Sequence, residues 1–355
     1  MARGRKDTRK VLMTGNEAIG EGAIRAGCRL YAGYPITPQN ELTAYMAKHM
    51  PENNRVFIQA ESELAAINMV FGASAAGARA MTSSSSPGIS LKQEGISYLA
   101  GCGLPAVIVN IMRGGPGLGN IAPSQSDYFQ ATKGGGHGDY HCLVLAPASV
   151  QECFDFMFDG FGLADAYRMP VIVLGDGMLG QMMEPLVLRA GRVREYAKPW
   201  ALTGACGREP NIIRSLLLKE GALEALNLAL QKKYKGIQKK EQRWEELFLE
   251  DARVIVVAYG GMSRIVKNAV RAMRQQGKRV GLIRPISLWP FPVRAFEKIK
   301  KAKTKFLAVE MSYGQMVEDV RLAVACASPV EFFGRAGGGI PTQEQIMRAA
   351  RKLSR

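Results

Sequence analysis

The chain has 355 residues, of which 47% are hydrophobic and 22% are charged. This composition can bury a large core and excludes a disordered chain. The formal net charge of +16 favours acidic partners or anionic substrates. Because the basic residues are spread along the chain and form no recognised nucleic-acid module, we expect no nucleic-acid partner.

The sequence predicts no membrane segment. Its longer apolar runs, such as Leu104 to Met112, are well below the ~20 residues that span a bilayer. The basic stretch from Met1 to Lys10 leads into no uninterrupted apolar segment, so we expect no export signal and a cytoplasmic location. The cysteines form no Cys-x-x-Cys pair and are expected to be reduced, mostly buried thiols: Cys28, Cys102, Cys142, Cys153, Cys206 and Cys326.

The order of elements predicts an α/β protein. From Val11 to about Pro185, short apolar runs alternate with turns rich in Gly, Ser or Pro and with amphipathic stretches, which is typical of βαβ units. Residues 191–250 form a charged connector with a helical piece around 220–250, and the α/β pattern resumes at Ala252. We therefore predict two doubly wound domains, at 1–190 and 251–355, joined by this connector.

The segment Tyr34-Pro35-Ile36-Thr37-Pro38 follows a predicted strand, 29–33. It predicts that Thr37 caps a helix over 40–50 and that Pro38 is the first helical residue. Free backbone N–H groups and the helix dipole would then bind a small carboxylate at the carboxyl end of the strand. The alternative is that Thr37 and Pro38 only start a helix.

Two charged residues are candidates for the same edge of the sheet. Glu63 begins a predicted helix that runs through Gly77, and apolar neighbours over 64–67 would let it share a proton with a heterocycle nitrogen. Arg113 ends a predicted strand, 106–111, and could clamp a carboxylate with two parallel hydrogen bonds. The alternatives are that Glu63 only stabilises a helix dipole and that Arg113 is a solvated surface group.

Three other sequence patterns are weaker indications of a functional site. The glycine-rich loop 115–119 lacks the helix that would receive a pyrophosphate. Asp176 stands in a Gly-Asp-Gly motif without the asparagine that would complete a magnesium and diphosphate site, so we interpret it as a loop residue. His137 lies in a glycine loop, where it is either a proton donor or simply exposed.

Taken together, five segments resemble the 2-oxoacid:ferredoxin oxidoreductases, namely residues 34–38, Glu61-Ser62-Glu63, Ser86-Pro87-Gly88, Arg113-Gly114-Gly115-Pro116 and 310–316. The chain is similar to the subunit with the thiamine pyrimidine-binding domain and a transketolase C-terminal-like domain. The segment 125–134 looks most like that of branched-chain and 2-oxoglutarate members.

The resemblance implies thiamine diphosphate as the cofactor, with its pyrimidine end on this chain. Glu63 would hydrogen-bond N1′ of the aminopyrimidine and favour its imino tautomer. Thr37 and Arg113 would hold the substrate carboxylate that is lost as carbon dioxide. Pro35, Ile36, Ser86 and Pro87 match the family's cofactor-binding segments.

The resemblance also implies partners. Mg²⁺ and the [4Fe-4S] clusters would lie on a thiamine- and iron–sulfur-binding subunit or on small ferredoxin-like and gamma-type subunits, because this chain has no motif for either. Such a complex would oxidise a 2-oxoacid, branched-chain or alternatively 2-oxoglutarate, with coenzyme A and ferredoxin. An NAD(P)-dependent dehydrogenase and a non-catalytic structural subunit remain as alternatives.

Overall fold

The computed structural model describes residues 10–188, 193–297, 299, 304–325 and 327–353. Cys326 and residues 1–9 of the basic stretch Met1 to Lys10 lie outside this part. The described helices are α1 (Gly15–Arg25), α2 (Asn40–Glu52), α3 (Glu63–Ala75), α4 (Ser86–Gly101), α5 (Tyr128–Thr132), α6 (Val150–Tyr167), α7 (Gly177–Gln181), α8 (Ala222–Lys240), α9 (Met262–Gln275), α10 (Arg294–Glu297), α11 (Met316–Val324) and α12 (Gln343–Leu353). The described strands are β1 (Lys10–Thr14), β2 (Leu30–Gly33), β3 (Val56–Gln59), β4 (Ala80–Ser84), β5 (Ala106–Met112), β6 (Leu143–Leu145), β7 (Pro170–Asp176), β8 (Met183–Val187), β9 (Trp244–Leu247), β10 (Val254–Val257), β11 (Val280–Pro285), β12 (Ser287–Trp289), β13 (Lys305–Glu310) and β14 (Val330–Gly334).

The first domain is built on a seven-stranded sheet in the order β12-β6-β7-β5-β4-β2-β3, in which only β12 pairs antiparallel. All seven residues of β5 are buried. Ile108 belongs to the apolar core on one face of the sheet, and its neighbours Val107 and Val109 belong to the core on the other. Burial on both faces explains why the central strands read as continuous apolar runs.

The second sheet has the order β14-β13-β10-β11-β9 and is parallel except for β9. The helix predicted around 220–250 ends at Lys240, and Trp244–Leu247 instead forms β9. Trp244 pairs with Pro285, and Leu247 pairs with Leu282. Pairing with a strand that lies far along the chain therefore overrides the helical propensity of this segment.

Asp176 connects the two domains. It ends β7, is almost wholly buried, and accepts a hydrogen bond from the backbone N–H of Leu179 at 3.0 Å, which caps α7. Its other oxygen accepts from the N–H of Gly261 in the second domain at 3.1 Å. Burial raises the pKa of this carboxyl. The interpretation of Asp176 as a loop residue is therefore wrong.

The cysteines that are described are free thiols. Cys28, Cys142 and Cys153 are buried, Cys102 is half-buried and Cys206 is exposed. Burial raises the pKa of the Cys28 and Cys142 thiols to about 12, so both are protonated at neutral pH.

Candidate functional site

The predicted site residues meet at one edge of the first sheet. Strands β5, β4, β2 and β3 are neighbours in this order and run parallel, so their carboxyl ends lie side by side. Each strand is followed by one part of the site: Arg113 after β5, Ser86 and Pro87 after β4, Pro35, Ile36 and Thr37 after β2, and Glu63 after β3. Ligands of open α/β sheets bind at this edge.

Thr37 does not cap α2. The backbone N–H of Gln39 donates to the carbonyl of Ile36 at 3.1 Å, which closes a turn over Thr37 and Pro38. The helix α2 begins after this turn, at Asn40. Gln39 occupies the N-cap position without a side-chain cap. The prediction of Thr37 as N-cap and Pro38 as first helical residue is wrong. The Thr37 hydroxyl instead accepts from Nδ2 of Asn40 at 3.1 Å.

Arg113 is buried and fastens the loops around it. Its Nη1 donates to the carbonyl of Thr37 at 2.8 Å, and its Nη2 donates to the carbonyl of Leu118 at 3.0 Å. The Nε atom is buried and has no hydrogen-bond partner among the described residues. The guanidinium is thus a fixed group with an unsatisfied donor, which differs from the solvated arginine of the alternative interpretation.

Glu63 is the first residue of α3, which Ser62 caps by accepting from the N–H of Ala65 at 3.1 Å. The Glu63 side chain is only 6% exposed. A Cβ atom placed on Gly88 would lie 2.6 Å from Oε1 of Glu63, so the carboxyl rests against the first turn of α4. Of the apolar neighbours, Ile67 is buried, whereas Leu64 is 46% exposed. The acid therefore lies inside the protein at the carboxyl edge of the sheet.

Sequence reasoning missed a polar triangle that holds the start of α4. The Ser86 hydroxyl donates to Oδ2 of Asp127 at 2.6 Å, and Nδ2 of Asn110 donates to the same oxygen at 2.9 Å. The backbone N–H of Arg113 donates to the Ser86 hydroxyl at 3.0 Å. Burial raises the pKa of Asp127, although both side-chain hydrogen bonds oppose that shift. The one available signal was a polar Asn110 within an otherwise apolar strand.

A second missed network lies between β2 and β4. The Ser83 hydroxyl contacts the Tyr31 hydroxyl at 2.6 Å and donates to Oε1 of Gln39 at 2.6 Å. The Nε2 atom of Gln39 is buried without a partner in the described part of the chain. These side chains connect the loop that carries Thr37 with the strand that precedes Ser86.

The polar atoms left unpaired at this edge fit a polar ligand. The hydroxyls of Ser84 and Ser85 are buried and, like Nε of Arg113, find no partner among the residues that the structure describes. Ser84 also contacts the position that a Gly88 side chain would occupy, beside the Glu63 carboxyl. Buried polar groups are normally hydrogen-bonded, so a heterocycle with nitrogen atoms and a carboxylate are the kinds of group that would satisfy them.

The weaker sequence patterns stay apart from this arrangement. His137 is exposed in the loop 134–139, and its backbone carbonyl accepts from the Ser97 hydroxyl. Within the described residues, no hydrogen bond or ion pair joins its imidazole to another residue. The glycine-rich loop 115–119 is followed by irregular chain until α5 begins at Tyr128.

The described ranges contain no group of three or more His, Cys, Asp or Glu side chains placed to hold a metal ion. None of their helices is long and apolar enough to cross a membrane.

Fold and site together define an α/β protein of two parallel-sheet domains that places a buried acid and a buried arginine at one sheet edge. Residues 21–204 match the family model "Pyruvate flavodoxin/ferredoxin oxidoreductase, thiamine diP-bdg", and residues 252–346 match "Pyruvate:ferredoxin oxidoreductase core domain II". The fold class predicted from the sequence is confirmed.

Related proteins support the same family as these two family models. The chain is 49% identical to ketoisovalerate oxidoreductase subunit VorB of Methanothermobacter marburgensis, over 97% of each chain. It is 37% identical to 2-oxoglutarate synthase subunit KorA of Methanothermobacter thermautotrophicus, over 98% of this chain and 100% of that one. The structure of 2-oxoglutarate:ferredoxin oxidoreductase from Magnetococcus marinus aligns with a TM-score of 0.87 at 28% identity, covering 99% of this chain and 66% of that one. The chain belongs to the 2-oxoacid:ferredoxin oxidoreductase family and is a subunit of such an oxidoreductase.

Proposed function

We propose that this chain holds the pyrimidine end of thiamine diphosphate in a complex that oxidatively decarboxylates a branched-chain 2-oxoacid, such as 2-oxoisovalerate, to an acyl-coenzyme A. The observation that carries the proposal is the buried Glu63 carboxyl, which lies against the start of α4 beside the unpaired hydroxyl of Ser84. A family model for thiamine diphosphate binding covers the same domain.

The proposal gives each residue one role. Thiamine diphosphate, when bound, supplies the carbanion and the electron sink for decarboxylation. Glu63 holds a proton against a nitrogen of the aminopyrimidine, and the segments with Pro35, Ile36, Ser86 and Pro87 surround that ring. Thr37 offers its hydroxyl, and Arg113 its unpaired Nε–H, to the substrate carboxylate. The Arg113 Nη atoms already bind two backbone carbonyls, so a carboxylate bound through Nε leaves both loop contacts in place.

The proposal assigns Mg²⁺, the diphosphate and the [4Fe-4S] clusters to partner subunits. The amino-acid sequence has neither a Cys-x-x-Cys pair nor a complete diphosphate motif. The active site then forms where this chain meets its thiamine- and iron–sulfur-binding partner, and ferredoxin accepts the electrons. The net charge of +16 favours approach of acidic ferredoxin and of coenzyme A. His137 stays a candidate proton donor on an exposed loop.

The substrate class rests on the relatives. Identity is 49% to a ketoisovalerate oxidoreductase subunit and 37% to a 2-oxoglutarate synthase subunit, and both align over nearly the whole chain. This difference favours a branched-chain 2-oxoacid over 2-oxoglutarate.

The test uses the complex assembled with its partner subunits. We expect reduction of ferredoxin with 2-oxoisovalerate in preference to 2-oxoglutarate, and no turnover by this chain alone. Glu63→Gln should leave assembly intact and reduce turnover by at least ~100-fold, the scale on which acid–base groups act. Near-normal turnover of the variant would favour the structural subunit, and tight binding of NAD(P) in a titration would favour the dehydrogenase.

A further inference from the structure

A lysine lies in the seam between α3 and α4. A Cβ atom on Gly88 would touch the Glu63 carboxyl, and one on Gly95 would touch Ile67 at 2.6 Å, so these two positions of α4 face α3. Lys92 stands four residues after Gly88 and three before Gly95, on the same face of the helix. Helical side chains lean toward the N-terminus of their helix, which directs Lys92 toward the Glu63 end of the seam.

The ammonium group of Lys92 is completely buried. Its Nζ donates to the Thr82 hydroxyl at 2.7 Å and to the carbonyl of Ser83 at 3.2 Å, at the carboxyl end of β4. It has no ion pair with any carboxylate of the described residues. An ammonium group has three N–H donors, and the two neutral acceptors here use only two of them. A buried positive charge without a nearby acid costs free energy.

Glu63 is the acid whose charge acts on Lys92. Burial lowers the pKa of Lys92 to about 7, and the charge of Glu63 opposes this shift. Other titratable groups stand farther along the network: the Tyr31 hydroxyl contacts the Ser83 side chain from β2, and Asp127 contacts Ser86 in the first turn of α4. The geometry joins the two residues: the Ser83 carbonyl that accepts from Lys92 directly precedes Ser84, whose hydroxyl lies with the Glu63 carboxyl at the position that a Gly88 side chain would occupy.

We propose that Lys92 is a positioning residue whose positive charge sets how readily the Glu63 carboxyl releases and regains its proton. The inference deepens the proposed function and rests on the role of Glu63 given there. With the cofactor bound, the Lys92 cation would stabilise the carboxylate that remains when Glu63 gives up its proton, and Lys92 itself would transfer no proton. The O–H bond of Glu63 would break as an N–H bond to the pyrimidine forms.

The first experiment needs no cofactor and no turnover. Lysine labelled with ¹³C at Cε is placed in the full chain, and the Lys92 signal is identified by its absence in Lys92→Arg. We expect it to titrate near pH 7 and at lower pH in Glu63→Gln, because the opposing anion is gone. Equal midpoints in the two proteins, or an ordinary lysine midpoint in both, would overturn the coupling. This arm needs no variant that removes the charge of Lys92.

The second experiment measures the pH profile of kcat in the assembled complex. Lys92→Met removes the charge but keeps an unbranched side chain. Because Glu63 acts in its protonated form, we expect the alkaline limb to move to higher pH by about one unit, the usual effect of a nearby charge on a carboxyl. Lys92→Arg keeps the charge and should restore the limb. A profile unchanged in Lys92→Met, with the complex intact, would reduce Lys92 to a structural link between α4 and β4.

The two proposals fail in different ways. If Glu63→Gln keeps near-normal turnover, the catalytic role of Glu63 is lost even if Lys92 still titrates with it. If Glu63→Gln loses turnover while the Lys92 midpoint does not change, the proposed function stands and the inference about Lys92 falls.

Discussion

The guanidinium of Arg113 holds Thr37 by its backbone carbonyl, at 2.8 Å from Nη1, and leaves the Thr37 hydroxyl free of this bond. Arg113 follows β5 and Thr37 follows β2, so the contact spans β4, which lies between these strands. A substitution at Thr37 can therefore remove its hydroxyl without removing the contact that holds the loop.

Replacing Thr37 with Val keeps the carbonyl that Arg113 holds and removes only the hydroxyl. We expect the complex to assemble normally and the KM for the 2-oxoacid to rise by about 3- to 10-fold, the value of one ordinary hydrogen bond. Steady-state kinetics across substrate concentrations measure this. Asn40→Ala is the control, because it removes the donor to the hydroxyl and keeps the hydroxyl itself. Unchanged KM in Thr37→Val would remove Thr37 from the substrate site.

Arg113→Met should cost more than Thr37→Val, because it breaks both loop contacts as well as the proposed substrate contact. Two charge-assisted hydrogen bonds are lost, and we expect a loss of stability of roughly 2–5 kcal/mol together with a KM increase above that of Thr37→Val. Chemical denaturation and kinetics of the complex measure the two effects. Arg271→Met changes an exposed arginine of α9 and serves as the control. Equal stability of the two variants would contradict the anchoring role.

Gly88→Ala should displace Glu63 and Ser84, because the added Cβ atom would lie 2.6 Å from the Glu63 carboxylate oxygen and 2.1 Å from the Ser84 hydroxyl oxygen. We expect a folded complex with turnover reduced by at least ~10-fold. Gly72→Ala in α3 is the matched control, since no atom lies within 4 Å of its added Cβ. It should stabilise the chain by about 0.5–1 kcal/mol. The idea fails if Gly88→Ala keeps wild-type turnover.

Gln125 joins the domains by its side-chain amide. It donates to the carbonyl of Tyr259 at 3.0 Å and accepts from the N–H of Met311 at 3.0 Å, and both contacts are buried. Gln125→Ala leaves the buried N–H of Met311 unpaired and removes one of two donors to the Tyr259 carbonyl, which keeps the N–H of Ser263. We therefore expect a loss of about 1–3 kcal/mol in denaturant unfolding. Gln343→Ala, a partly exposed glutamine of α12, should stay within about 0.5 kcal/mol of wild type. Similar losses in both variants would argue against the interdomain contact.

The buried carboxyl of Asp127 makes the stability of the folded chain depend on pH. Burial raises the pKa of its carboxyl in the folded chain, so its stabilising contribution is present below the ordinary aspartate pKa and is lost as the pH rises through the folded value. Asp127→Asn removes this titration. We therefore expect the melting temperature of wild type to fall relative to the variant from roughly pH 4 upward. Asp139→Asn, on an exposed loop, is the control. Parallel curves for wild type and Asp127→Asn would refute the shift.

Part of the fold and site followed from the sequence. The apolar runs 106–111 and 171–174 predicted buried central strands, and the structure extends them to Ala106–Met112 and Pro170–Asp176. The positions of Glu63, Ser86 and Arg113 directly after strands predicted a shared edge, because parallel strands end together. Their roles stay proposals, but their convergence is observed.

What the sequence determined by itself was periodicity, turn positions and the family. Only the tertiary structure decided that Trp244–Leu247 is a strand, that Gln39 and not Thr37 occupies the N-cap position of α2, that Asp127 holds Ser86, and that Lys92 lies buried in the seam beside Glu63. The physical reason is the range of the interactions. Alternation and propensity act over a few residues and can be read along the chain, whereas strand partners, buried charges and polar networks join residues that are far apart in sequence and meet only after folding.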